Sequence, residues 1–152
     1  MSTHFPSATA ARAAQHWWIL DATDVPLGRL SSEAAKLLTG KTKPTWTPFL
    51  DTGDFVVVVN CEKAALTGRK EQRKLYISHT GYPGGFKAQA AERLRASNPV
   101  RMVEGAIRGM LPKTRLGRAM AKKLKVYAGP DHPHAAQSPQ VLDVKARQAV
   151  KA

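Results

Sequence analysis

The spacing of apolar and polar positions changes period several times along this chain, and each change marks an element. Trp17-Trp18-Ile19-Leu20-Asp21-Ala22 is an aromatic and β-branched run and reads as a strand. Asp24 and Pro26 follow as a helix-start signal. Leu27, Leu30, Ala34, Leu37 and Leu38 then recur at helical spacing, and Gly40 stands where a glycine ends a helix. Lys41, Lys43, Pro44 and Pro48 mark a basic loop. Phe55 to Val59 is an unbroken apolar run between Asp54 and Asn60. A run with no polar face predicts a strand covered on both sides, as in a parallel sheet with helices above and below.

Further along, Lys74 to Thr80 reads as another strand, Gly81 to Gly85 as a turn-rich loop, and Ala88 to Ala96 as a helix. Val100, Val103, Ile107, Met110 and Leu111 give a second helical stripe, with Arg101, Glu104 and Arg108 on the opposite face and Pro112 ending it. Leu116, Met120 and Leu124 predict a third short helix, and Val126-Tyr127 a last short strand. Strand and helix alternate first and helices dominate later, which predicts an α/β fold around a short sheet. Val56, Val58, Leu30, Leu37, Val103 and Ile107 are expected to hold its core.

A length of 152 residues suits one domain, here residues 17–140, with no repeat and no second unit. Residues 1–16 carry one Arg and no acid among many Ala, Ser and Thr, and read as a disordered extension more readily than as a transit peptide. Residues 129–139, with three prolines and two histidines, read as an extended tail, and 141–152 as a C-terminal extension. Charge changes the picture most. Against 24 Lys and Arg stand 11 Asp and Glu, a formal net charge of +13. Such an excess repels itself unless an anionic partner neutralises it. No stretch approaches the roughly 20 apolar residues of a membrane span, and the cations are spread over several segments rather than one amphipathic helix, so nucleic acid leads over membrane. The single cysteine, Cys61, permits no internal disulfide and fits a reducing compartment.

Between Gly105 and Pro130 lie Arg108, Lys113, Arg115, Arg118, Lys122, Lys123 and Lys125, and no acidic residue. Solvated helix faces normally mix signs, so this stretch predicts contact with phosphates. Lys63, Arg69, Lys70, Arg73 and Lys74 form a second basic group, tempered by Glu62 and Glu71, and Lys36, Lys41 and Lys43 a third. The Gly81–Gly85 loop is either an ordinary turn or a close approach to an RNA backbone. It lacks the Walker spacing that nucleotide hydrolysis needs. An α/β enzyme using that loop is the rival function, and it requires titratable groups converging in one pocket. His132-Pro133-His134 has too few ligands nearby for zinc and suits phosphate or bases better. Asp24 and Asp54 read as capping and turn residues. Cys61, at the end of an apolar strand without an activating base, reads as an inert buried thiol. Trp17 and Trp18 read as packing residues.

Taken in order, several stretches resemble the bacterial large-subunit ribosomal proteins of the L-thirteen family. They are Trp18 to Ala22, Leu27-Gly28-Arg29-Leu30, Gly53 to Asn60, Thr67-Gly68-Arg69-Lys70, His79 to Gly85, Gly109 to Lys113, Leu124 to Gly129, and His132-Pro133-His134 with Gln137 and Pro139. The resemblance spans Trp17 to about Pro139 and weakens at the two ends. It implies a three-layer α/β/α fold around a small, mostly parallel four-stranded sheet, with basic C-terminal helices and an extended tail. It also implies binding to large-subunit ribosomal RNA, early entry into subunit assembly, contact with neighbouring ribosomal proteins, and repression of the chain's own messenger RNA. A cytoplasmic, ribosome-bound location is expected before an organellar ribosome. No catalytic residue, metal, cofactor or small-molecule substrate is expected. The expected central RNA contacts are the seven cations from Arg108 to Lys125. Lys41, Lys43, Arg69, Lys70, His79, Gly84, Gly85, Lys87, His132 and His134 are the second group.

Overall fold

The computed structural model describes residues 5–144. The chain opens with α1 (Ala8–Ala13), β1 (Trp17–Asp21), α2 (Leu27–Thr39) and β2 (Phe55–Val59). A one-turn helix, α3 (Lys70–Arg73), leads into the hairpin β3 (Leu75–His79) and β4 (Phe86–Ala90). Then come α4 (Ala91–Ser97), α5 (Pro99–Met110), α6 (Arg115–Lys122), β5 (Leu124–Val126) and β6 (Gln140–Leu142). The main sheet has the order β5-β2-β1-β6 and every pairing in it is parallel. This is the α/β class with a four-stranded sheet, consistent with the three-layer description.

Partners across parallel strands share a face. Trp18, Leu20, Val56, Val58, Leu124, Val126 and Leu142 therefore point one way, and all join the core with Leu30 and Leu37 of α2 and Met102, Val103 and Ile107 of α5. All six core residues expected from the sequence are at most 1% exposed. On the opposite face Trp17 stacks on Phe55 at 4.4 Å and His134 closes on Trp17 at 5.1 Å. The unbroken valine run is thus covered on both sides: Val56, Val57 and Val58 are all fully buried. Both tryptophans pack as expected. α2 ends on Gly40, held at φ 78° in the left-handed region, where a Cβ would meet the backbone of Thr52 and Gly53.

Four expectations need correction. Residues 8–13 are helical rather than disordered. Ser7 caps the helix, Ala11 is buried, and Lys43 Nζ donates to Ala14 O at 2.7 Å. A terminal segment orders when it is tied down in this way. Residues 1–4 and 145–152 of the two extensions lie outside the described residues. Residues 88–90, expected as the start of a helix, belong to strand β4, because Phe86, Ala88 and Ala90 find His79, Ile77 and Leu75 opposite them, and pairing overrides alanine's helix preference. The strand expected at 74–80 is present as β3, paired in that hairpin. Residues 141 and 142, expected as part of a C-terminal extension, belong instead to β6, an edge strand of three residues beside β1, too short to show a period. Leu124, expected to belong to α6, opens β5.

Candidate nucleic-acid interface

Helix α5 starts cleanly because Asn98 caps it, accepting from Arg101 N, with Pro99 in its first turn. Its apolar stripe of Met102, Val103 and Ile107 turns inward, so Arg101, Glu104 and Arg108 turn outward. Thr114 caps α6 by accepting from Gly117 N at 3.2 Å, and Met120 anchors that helix. Gly117 lets α6 lie against the Pro112 turn, where a Cβ would stand 1.8 Å from Pro112 O. Two contiguous grooves result. One, of about 610 Å³, is lined by Arg108, Lys113, Arg118 and Lys122. The other, of about 540 Å³, is lined by Arg108, Lys122, Lys125, Glu104 and Tyr127.

Of the seven central cations, six are exposed, and Arg108, Lys113, Arg118, Lys122 and Lys125 line these grooves. Lys113, Arg115, Arg118, Lys122 and Lys125 have no carboxylate partner among the described residues. Arg108 pairs with Glu104 one turn back at 2.6 Å, a surface contact worth only about 0.5 kcal/mol. Lys123 is the correction. It is buried, and its ammonium reaches Asp51 at 2.5 Å and Gly53 O at 2.8 Å. Burial lowers its pKa, against the opposing pull of Asp51. One residue's rotation separates Lys122 in the groove from Lys123 in the interior.

Lys43 is corrected on the same ground. Its side chain is only 18% exposed and binds Asp54, Ala14 O and Thr52 O. Asp54, read from sequence as a turn residue, is a buried hub: it also accepts from His16 N at 2.9 Å and from Trp18 Nε1 at 3.0 Å. Lys41 is exposed, its ammonium 5.8 Å above the Trp46 ring.

The second-group residues do not converge on one place. His79, Gly84, Gly85 and Lys87 sit at the tip and side of the β3–β4 hairpin, where His79 Nδ1 accepts from Gly81 N at 2.9 Å. Gly84 is left-handed at φ 72°, and Gly85 packs against Thr80 Oγ1. His134 bonds the Tyr127 hydroxyl at 2.8 Å, and His132 Nδ1 accepts from His134 N at 3.2 Å. Arg69 and Lys70 line a third cavity with Arg29, Arg73 and Lys74. Sequence reasoning left Arg29 out of the site because nothing in its neighbourhood signals that Pro26 bridges to Ala65 and brings the two segments together.

Cys61 is fully buried and its thiol is pushed up to about 11, first by burial and then by the Glu62 carboxylate, which makes it a poor nucleophile. Among the described residues no three His, Cys, Asp or Glu side chains gather as metal ligands, and no helix is long and apolar enough to cross a membrane.

Fold and surface together define a class: a basic α/β scaffold that displays its charge in open grooves. The family model described as "Ribosomal protein L13" matches residues 15–133. A "Large ribosomal subunit protein uL13" from Saccharopolyspora erythraea is 54% identical over 147 residues, covering 97% of this chain and 98% of that protein. Proteins of the same name from Solibacter usitatus and Beutenbergia cavernae are 55% and 60% identical, covering 95% and 84% of this chain and 100% and 87% of their own lengths. The chain belongs to the ribosomal protein L13 family, whose members are structural proteins and not enzymes.

Proposed function

We propose that this chain is a structural constituent of the large ribosomal subunit, held there by large-subunit ribosomal RNA on its α5–α6–β5 face. The observation that carries the reading is the set of five exposed cations without carboxylate partners in and around two adjoining grooves. Lysine and arginine on RNA phosphates release condensed counterions, and that release supplies most of the affinity. Lys41, Arg69, Lys70, His79, Gly84, Gly85, Lys87, His132 and His134 contribute outer contacts. Lys43 and Lys123 bind no RNA and hold the fold instead. The relatives' names, all of large-subunit proteins, support the assignment.

Early assembly fits a core that closes on its own apolar side chains and needs no RNA to complete its sheet. Neighbouring ribosomal proteins are the second partner class. Leu75, Ile77 and Phe86 share one exposed face of the hairpin, a surface that suits protein rather than phosphate. Phosphate contacts carry no sequence information, so the same basic face is open to the chain's own messenger RNA. A cytoplasmic, ribosome-bound location follows from the same reading.

Sedimentation of cell extract tests it. A tagged chain is expected to travel with large subunits, and the Lys113/Arg118/Lys122→Ala variant to shift toward the top of the gradient. A wild-type chain that stays at the top contradicts the reading.

A further inference from the structure

A cavity larger than either groove lies away from the α5–α6 face. It is a trough of about 1300 Å³ between the start of α2 and the 65–74 segment, with α5 as its far wall. Ala106 and Met110 of α5 face this trough, while Glu104 and Arg108 face the grooves already described. Two residues along a helix are about 200° of rotation, so the trough and the grooves open on opposite sides of α5.

Its lining combines two chemistries. Arg29, Arg69, Lys70, Arg73 and Lys74 contribute cations, and among the described residues no carboxylate lines it. The floor is apolar, with Leu27, Leu66, Ala106 and Met110, and Met110 is 48% exposed there. Cations alone would suit any phosphate. A concave apolar floor beneath them suits a flat, uncharged group attached to phosphates. The volume exceeds the roughly 300–1,000 Å³ of small-molecule sites, which favours a length of chain over a free metabolite. In an RNA duplex the bases are stacked inside and cannot reach a concave floor, whereas an unpaired base can be splayed out and laid against apolar side chains.

We propose that this trough is a second RNA site, one that seats a single unpaired nucleotide. Its base lies against Leu66, Ala106 and the adaptable Met110 side chain, and the flanking phosphates lie between Arg69, Arg73 and Lys74. The site rests on the RNA-binding reading above and deepens it. The basic α5–α6 face grips backbone of any sequence, and the trough fixes position by demanding a bulge or loop.

The test compares two RNA hairpins of the same stem, one fully paired and one with a single bulged adenosine. Wild-type protein is expected to bind the bulged hairpin about tenfold more tightly, the worth of one seated base. Met110→Asp and Arg73→Ala/Lys74→Ala, all at exposed positions, are expected to bring that ratio close to one and leave affinity for the paired hairpin nearly unchanged. Lys113/Arg118/Lys122→Ala is expected to weaken both hairpins alike and keep the ratio. A wild-type ratio near one, or trough variants that retain the preference, would overturn the trough. Displacement of the bulged hairpin by low concentrations of free adenosine monophosphate would overturn it too, assigning the cavity to a free nucleotide. An α5–α6 variant with unaltered affinity strikes the general reading instead, and the ratio still judges the trough.

Discussion

Replacing Lys123 by Ala removes the counter-charge from Asp51 and the donor from Gly53 O at the edge of the sheet. Breaking a buried pair by deleting one partner costs about 3 kcal/mol, so urea unfolding should show a loss of that order while RNA affinity keeps its salt dependence. Cys61 gives a pH signature. The folded chain holds the thiol proton up to about 11, and the ordinary value is 9.0. A raised value means the contribution is whole below about pH 9 and is lost as pH climbs through 11. Wild type should lose up to about 3 kcal/mol across that window relative to Cys61→Ala. At pH 8 the native thiol should resist alkylation that the unfolded chain accepts at once. These two residues also show the limit of reading charge and thiols along a chain. Cys61 was legible because it closes an apolar run. Lys123 was not, because its carboxylate lies 72 residues away and only the fold brings them together.

At the scale of elements, the glycines of α5 and α6 separate packing from propensity. A Cβ at Gly117 would stand 1.8 Å from Pro112 O, which is backbone and cannot swing aside. Gly117→Ala should therefore push α6 outward, cost about 3 kcal/mol and weaken RNA binding through the distorted groove, as thermal unfolding and a binding titration would show. A Cβ at Gly105, on the outer side of α5, meets open space. Gly105→Ala should raise stability by about 0.5–1 kcal/mol and leave RNA binding alone. Long periodic elements were legible in the sequence for the reason these glycines illustrate: α2 and α5 are set by side chains within their own length. β4 and β6 were not. Their identity comes from the strand opposite, and neither five nor three residues suffice to outvote alanine's helical preference or to show a period.

For the whole molecule, a net charge of +13 is divided into two functions. Lys43 and Lys123 are spent inside on Asp54 and Asp51, where they pin α1, the 41–53 loop and α6 to the ends of β1 and β2. Two groups of exposed cations lie on two sides of α5. The sequence announced the first side as an acid-free run, but scattered the second over Arg29 and residues 69–74, which only the Pro26–Ala65 bridge unites. The measurement that bears most directly on the account is the salt dependence of affinity for a large-subunit RNA fragment. Each lost phosphate contact should flatten the slope of log affinity against log salt by about 0.7–0.9. The Lys122/Lys125→Ala variant should flatten it by about 1.5, and adding Lys123→Ala should lower stability without flattening it further. A slope unmoved by the first pair, or moved as much by Lys123 as by Lys122, would contradict a surface charge matched to RNA and an interior charge matched to carboxylates.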